Sequence, residues 1–405
     1  MRVLFVAGAC PYPPTSGATV RTHNLLRQLC ARHEITLIAP QECDVDLRAV
    51  YGGCRTKVIT VSPARPGAIR RLACLASPLP YIVAAHANPA MSAAVEKALE
   101  SDNFDVLHCD SISVVPTIPA QARTARVFNA HNVEAVIWER YVENERRPWV
   151  RLVLRSQLAK VVCFESRLPG LFDWCVTVSQ DDRLEMQRRY GAQHVEVVPN
   201  GVDPDYYAPL PDPNEPALAY IGSLDWRPNQ DAIHWLVESI WPLVRRQIAC
   251  ATLSIVGRRP PEWMQRLCNR PGVSLHADVP DIRPYLGSAS VVVVPLRIGG
   301  GSRVKILEAM AASRCVVSTS IGAEGLDVVD GRDVVVANEP ARFARECVSL
   351  LKDPVRRAAL ARAARGLVES KYGWQTIARS LEDTWHHACL GSGIQTSDLE
   401  AEHRP

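Results

Sequence analysis

No stretch of the 405-residue chain approaches the roughly 20 consecutive apolar residues that a bilayer span requires. The opening run Arg2-Val3-Leu4-Phe5-Val6-Ala7 is too short for the apolar core of a signal peptide and runs straight into Pro11 and Pro13. It reads as a first buried strand, and a cytoplasmic location is expected. Metal-site spacing is also missing. The 13 cysteines are odd in number and scattered, with no C-x-x-C and no Cys/His cluster. They are expected to be small buried hydrophobes in a reducing compartment, with neither a disulfide framework nor zinc. Charge of one sign is not in excess: the net charge is +3, which gives no argument for a nucleic-acid partner. No internal repeat of short period appears.

What is present suits a globular α/β protein. The composition is 47% hydrophobic and 22% charged, and 405 residues exceed one ordinary core, so two domains are expected. The first half predicts strands at 3–7, 35–39, 57–61, 106–108, 126–129 and 175–178, a helix at 20–31, and another capped by Ser179 and stopped by Gly191. That alternation is βαβ winding around a parallel sheet. Turn-rich residues after Val197 and the proline-dense stretch Pro209 to Pro216 mark a linker. The pattern then restarts, with strands at 217–222, 252–257, 273–276, 291–295, 316–319 and 334–337, a helix at 232–246 and a helical region from 341 to about 390. The expected domains are 1–203 and 204–370, followed by a closing helix at 371–390 and a polar, disordered tail at 391–405. In such sheets ligands sit at the carboxyl ends of the strands, so a cleft between the two halves is the expected site.

The strongest chemical signal lies at 291–310. Val291 to Val294 form the β-branched run of a strand buried on both faces. Gly299, Gly300 and Gly301 follow, then Ser302 as the expected N-cap, then a helix with apolar Ile306, Leu307 and Met310. A strand, a glycine loop and a helix start present unpaired N–H groups and the positive end of a dipole, which suits a phosphate or diphosphate. Arg303 and Lys305 add cations, and Glu308 lies about one turn inside the helix, in reach of hydroxyls. Alone, the loop equally fits a βα turn with solvated basic residues.

Three further places carry chemistry-bearing residues. After the first strand, the loop returns to a helix near Gly17 and Ala18, whose backbone can approach an anion, although a proline-stiffened surface loop explains it as well. His131 stands just past the strand at 126–129, at a carboxyl end where polar residues tend to be functional, and its ordinary pKa suits donation to a substrate hydroxyl. The alternative is a structural histidine holding the next loop through Asn132 or Glu134. Asp181-Asp182 reads as first-turn carboxylates on a helix dipole rather than a metal pair. Arg147, Arg151 and Arg155 repeat at helical spacing, with Val150, Leu154 and Leu158 on another face. That pattern fits a basic helix at an anionic membrane surface, or an ordinary helix with a solvated face.

With these blocks in place the chain resembles a glycosyltransferase of the GT-B fold, in the large retaining family numbered four. Tyr220-Ile221-Gly222-Ser223-Leu224-Asp225-Trp226-Arg227-Pro228-Asn229 is similar to the opening of the donor domain in a subgroup that includes exopolysaccharide-type sugar transferases. Ser254-Ile255-Val256-Gly257-Arg258 is similar to its second strand. Val273 to Ile282, with Val279 inside it, resembles the segment whose backbone meets the nucleobase. The block from Pro295 to Met310, with Thr319 to Gly325, resembles the diphosphate and ribose site. The resemblance runs from Arg2 to about Leu390. It implies two Rossmann-like, doubly wound domains facing across a cleft, the first for an acceptor and the second for a nucleotide-sugar donor.

Position by position, the resemblance implies that Glu308 binds ribose, that Arg303 and Lys305 line the diphosphate, and that Gly17 touches it. His131 matches the acceptor-domain histidine near the reacting sugar and is the candidate catalytic residue. There are departures. The glutamate often found ahead of Glu308, in contact with the donor sugar, is replaced by Gly300. The arginine common after Gly222 is Ser223, the usual lysine further along is not apparent, and Ala277 stands for a glycine. Phosphate charge must then be met by Arg303, Lys305 or Arg258. The implied reaction is transfer with retention to a small-molecule or lipid-linked acceptor, without cofactor or metal. No carboxylate pair marks a double-displacement glycosidase. The rival readings are a nucleotide-sugar epimerase of the same fold and a non-catalytic nucleotide-sugar-binding subunit.

Overall fold

The computed structural model describes residues 1–41, 45–52, 55–64, 67–119, 124–213, 215–298 and 303–391. The tail expected beyond Gly391 lies outside the described residues. Alternating β-branched runs and amphipathic helices produce two parallel sheets. The first contains β1 (Arg2–Val6), β2 (Glu34–Pro40), β3 (Thr56–Val61), β4 (Val106–Cys109), β5 (Ala125–Ala130), β6 (Trp174–Thr177) and β7 (Val195–Val197), in the order β3-β2-β1-β4-β5-β6-β7. The second contains β8 (Ala217–Ile221), β9 (Thr252–Gly257), β10 (Val273–Ala277), β11 (Val291–Val294), β12 (Cys315–Ser318) and β13 (Val335–Val336), in the order β10-β9-β8-β11-β12-β13. Each order runs outward from its first strand and then reverses. The switch points therefore lie beside β1 and β4 in one sheet and β8 and β11 in the other, which is where crevices open in such folds.

Register follows burial. Val291 pairs with Leu218 and Cys315, and Val292 with Ala219 and Val316. All four valines of β11 are buried, as expected of a central parallel strand with helices on both faces.

The chain divides into two compact units, Met1–Pro199 with the segment from Trp374 on, and Asn200–Gly373. The first division falls a few residues ahead of the expected 203. Val202 is already tied to the second unit, its N–H donating to Tyr372 O at 2.8 Å, and the stretch 209–216 is held there by two arginines. Arg314, buried, donates to Pro211 O at 2.6 Å and to Leu286 O at 2.7 Å, and Arg357 pairs with Asp212 at 2.6 Å. The helix Trp374–Gly391 joins the first unit through Trp374, Ile377, Leu381 and Trp385, which pack among Leu25, Leu29, Val106 and Val127.

Two expected elements differ. The helix expected at 232–246 begins earlier, at Arg227–Trp235, widens to a π-turn over Leu236–Ile240, and resumes as Trp241–Gln247. Pro242 has no N–H for the i→i−4 ladder, and Trp241 N donates five residues back, to Leu236 O. Arg147 does not lie on a helical face. It is the N-cap of Pro148–Glu165, and its guanidinium is held by Glu145 at 3.1 Å.

Asp182 accepts from Ser179 Oγ at 2.5 Å, and its own N–H donates to Ser179 Oγ at 3.0 Å, a capping arrangement. Among the described cysteines Cys163 and Cys250 are exposed and the others buried. No helix among the described residues is long and apolar enough to cross a membrane.

Candidate functional site

In the second unit, β8 leads into Gly222 and then into the helix Arg227–Trp235, which opens with Pro228 where a missing N–H costs nothing. That first turn carries Asn229, which is buried. Its Nδ2 donates to Ser223 O at 2.6 Å and so closes the loop. Its Oδ1 accepts from Tyr220 OH at 2.7 Å and from Lys305 Nζ at 2.8 Å. Lys305 Nζ also donates to Tyr220 OH at 3.2 Å and stands 4.8 Å from the centre of that ring. Burial, helped by the nearby Arg303 charge, pushes Lys305 down to about 7.

Bare Gly222 makes room for this lysine, and bare Gly257 makes room for the Gly222 backbone. A Cβ on Gly222 would lie 2.7 Å from Lys305 Nζ, and one on Gly257 would lie 1.8 Å from Gly222 O. Arg258 follows Gly257, half-buried, with its pKa lowered by burial and by Arg259. Arg259 and Asp278 both sit at φ 51°, in the left-handed region. Asp278 Oδ1 accepts from Arg259 N at 2.9 Å, and Asp278 N donates to Gly257 O at 2.9 Å, which locks the turns after β9 and β10 together. Val279, next in the chain, packs half-buried on the second unit's core.

The helix after β11 is Val304–Ala311, and its N-cap is Arg303, at φ −97° and ψ 90°, with no side-chain cap. This corrects the expectation that Ser302 caps it: Arg303 is the last extended residue, and its carbonyl accepts from Ile306 N at 2.9 Å. Arg303 is buried. Gly300, Gly301 and Ser302 lie outside the described residues. One turn further, Glu308 Oε1 accepts from Tyr207 OH at 3.0 Å. Burial raises the Glu308 pKa, against the pull of Tyr207 and Lys305.

In the first unit, Gly17 and Ala18 form the exposed first turn of the helix Gly17–Leu29. Ser16 caps it in a reciprocal box with Thr19, and a Cβ on Gly17 would meet nothing within 4 Å. His131 follows β5 directly and is half-buried. Its Nε2 lies 3.6 Å from Asp110 Oδ1 and 3.5 Å from Asn129 Nδ2. Asp110, immediately after β4, is buried and accepts from Asn129 Nδ2 at 2.9 Å and Thr22 Oγ1 at 2.6 Å. Burial would raise its pKa, but His131 and His108 beside it hold it well below the usual carboxylate range. Arg21, fully buried, donates to Asn129 Oδ1 at 3.3 Å and to Pro199 O at 2.7 Å.

Sequence reasoning missed Asn229, Tyr220, Tyr207 and Asp110. Asp110 carried a usable signal, a carboxylate at the end of a strand beside the switch point. Asn229 and Tyr207 sit in turn-rich stretches whose composition predicts solvent, and only tertiary packing shows their partners.

Two family profiles cover most of the chain: Glycosyltransferase Family 4 matches residues 15–206, and Glycosyl transferases group 1 matches residues 215–353. A glycogen synthase of Mycobacterium tuberculosis is 28% identical over 257 residues, a match that spans 60% of this chain and 60% of that protein. A GDP-mannose-dependent alpha-(1-6)-phosphatidylinositol monomannoside mannosyltransferase of Mycolicibacterium smegmatis is 29% identical over 330 residues, 71% of this chain and 85% of that one. Among solved structures, Anabaena HepE in complex with UDP-glucose superposes with a TM-score of 0.66 at 16% identity, covering 96% of this chain and all of that one. That likeness is one of fold, the GT-B pairing of two Rossmann-like domains.

Proposed function

Because the chain belongs to the group 1 glycosyltransferases of family 4, we propose that it moves a sugar from a nucleoside-diphosphate sugar to an acceptor hydroxyl with retention of anomeric configuration. The observation that carries this reading is the buried Lys305–Asn229–Tyr220 triangle beside bare Gly222, one helical turn from the Glu308 carboxylate. A lysine held among two neutral oxygens and an aromatic face, with no carboxylate among the described residues bonded to it, is placed for an anionic ligand.

In this reading Glu308 accepts hydrogen bonds from the ribose, and Val279 borders the base. Lys305, Arg303 and Arg258 meet the diphosphate charge, while Gly300, Gly301, Ser302, Gly17 and Ala18 keep the phosphate-side roles that the family resemblance implies for them. His131 donates to the sugar. The bond from the anomeric carbon to the diphosphate breaks while the acceptor oxygen bonds to the same face of that carbon. The acceptor proton passes to the departing phosphate oxygen. Cations and amides fixed in place stabilise the charge that builds on the diphosphate, at no cost of reorganisation during the step. With that charge met by the chain itself, the reading assigns no role to a metal, and a chelator should leave the rate unchanged. The acceptor is a small or lipid-linked hydroxyl compound.

The test supplies UDP-glucose, the compound in the HepE complex, or GDP-mannose, on which the mannosyltransferase relative depends, with and without sugar and glycolipid acceptors. Nucleotide release and the NMR spectrum of the product are followed. Acceptor-dependent release with the donor's anomeric configuration kept in the product is expected. Sugar interconversion without acceptor would replace this reading with an epimerase, and binding without turnover would replace it with a carrier subunit.

A further inference from the structure

The helix Ala68–Ala76 leaves large aliphatic side chains in solvent: Ile69 is 87% exposed and Leu72 69%, and Leu75 is exposed as well. Among its described side chains only Cys74 is buried, against Ala84 and Ala85. A second apolar stripe lies on Pro148–Glu165, where Trp149 is 67% exposed, Leu152 70%, and Val153 also exposed. Trp149 and Val153 stand on the i+4 row that runs on into buried Gln157, Val161 and Glu165, so this row is exposed over its first two turns and covered further along, with Leu152 flanking its exposed part. The two helices meet. Lys160, seven residues on from Val153 and so on the same stripe, donates to Leu75 O at 2.8 Å, and Gln157 Nε2 donates to the same carbonyl at 3.1 Å. The exposed aliphatics of the first helix therefore continue the stripe of the second.

The charge on these two helices is of one sign. Arg70, Arg71, Arg151, Arg155 and Lys160 are basic, and the one carboxylate, Glu165, is buried and accepts from Glu134 N at 2.8 Å and Ala135 N at 3.1 Å. Arg155 neighbours Leu152 on the helix surface. The Arg147 guanidinium, paired with Glu145, lies 5.5 Å from the Trp149 ring.

We infer that this two-helix surface docks on an anionic lipid bilayer, with Ile69, Leu72, Trp149 and Leu152 in the acyl boundary and the arginines and Lys160 at the headgroups. This inference does not depend on the glycosyl-transfer reading. Apolar side chains ringed by cations match the two parts of an anionic interface, and long basic stems can lie along it with their charges in the headgroups. A second copy of the chain fits less well, because a two-fold contact would set the same cations against each other.

The test sediments the full chain with vesicles of phosphatidylcholine alone or mixed with phosphatidylglycerol. Pelleting with the mixed vesicles is expected, reversed by high salt and absent with phosphatidylcholine alone. Leu72→Ser combined with Leu152→Ser should cut the bound fraction about tenfold or more. Both positions are exposed, so the circular dichroism and Tm should not move. Brominated lipid in the mixed vesicles should quench the wild type more than Trp149→Phe. Three results overturn the inference: a chain that stays in the supernatant with mixed vesicles, binding indifferent to phosphatidylglycerol, or a double variant that pellets as before. A dimer in sedimentation velocity that the double variant abolishes, without any lipid binding, would assign the surface to a second copy instead.

Discussion

Tyr207 donates its hydroxyl hydrogen to Glu308 Oε1 at 3.0 Å. The ring is set by the turn before it, where Asp203 Oδ1 accepts from Asp205 N at 3.0 Å and Tyr206 N at 2.9 Å, and Tyr207 N reaches Asp203 O at 3.0 Å. Burial raises the Glu308 pKa and this hydroxyl lowers it. A carboxylate that accepts from ribose works above its pKa and fails as pH falls through it. Tyr207→Phe removes the lowering contribution, so the loss of donor affinity should begin at a higher pH than in the wild type. Near neutrality the variant should bind nucleoside diphosphate about 1 kcal/mol more weakly, with turnover at saturating donor nearly unchanged. Calorimetry across the acid range checks both. An unmoved pH edge would separate Glu308 from the ribose.

Lys305 leads to a prediction of opposite sign. Burial and Arg303 bring it to about 7, so in the free protein it is largely neutral above that pH. A bound diphosphate favours the ammonium. Binding should therefore take up a proton above pH of about 7 and weaken as pH rises further. Titrations in buffers of different ionisation enthalpy measure the uptake directly. Lys305→Met should abolish it and reduce affinity by about 1.5–3 kcal/mol, the range for hydrogen bonds to charged groups. Uptake that persists in Lys305→Met would place the titrating group elsewhere.

The two glycines at the ends of β8 and β9 should respond differently to the same added methyl. On Gly257 it would collide with Gly222 O, a backbone atom that cannot step aside. Gly257→Ala should cost about 1–3 kcal/mol of stability, read as a lower Tm. On Gly222 it would meet the end of the Lys305 side chain and, at 3.2 Å, Asn229 Nδ2, side-chain atoms rather than backbone. Gly222→Ala should keep the wild-type Tm and lose donor affinity as the ammonium is displaced. Equal thermal losses in both variants would mean that Gly222 serves packing alone.

Much of this was readable before any coordinates. The β-branched run at Val291–Val294 dictates a central strand, and the apolar spacing of Ile306, Leu307 and Met310 dictates the helix that carries Lys305 and Glu308. Hydrophobic period places the elements, while the switch points follow only from the order of the strands within each sheet. Side-chain partners escape that logic. Asn229 lies 76 residues from Lys305, and Tyr207 lies 101 from Glu308, so no local pattern links them. Helix starts are equally elusive. Ser302 has the better capping chemistry, yet the helix opens after Arg303, whose side chain is buried.

His131 and Asp110 give the prediction on which the assignment of the first unit turns. His131 Nε2 faces Asp110 Oδ1 at 3.6 Å, and Asp110 is itself gripped by Asn129 and Thr22. The carboxylate therefore has two tasks that substitution can separate. It closes a buried network that includes Arg21, and it fixes which way the imidazole points. His131→Ala leaves the Asn129 and Thr22 bonds in place, so the Tm and nucleotide affinity should stay near wild type. Transfer should fall roughly 10²-fold, the size of one lost positioned donor. Asp110→Ala strips the network of its acceptor and leaves Arg21 buried with its charge less well compensated, which should cost about 3–5 kcal/mol of stability. The sign of the pH dependence follows from the depressed Asp110 pKa. Its stabilisation is present above the ordinary carboxylate range and is lost as pH falls below it, so the acid arm of wild-type stability should flatten in Asp110→Ala. If His131→Ala instead melts early and its folded fraction transfers sugar at the wild-type rate, the imidazole is a structural strut and the first unit's chemistry lies elsewhere.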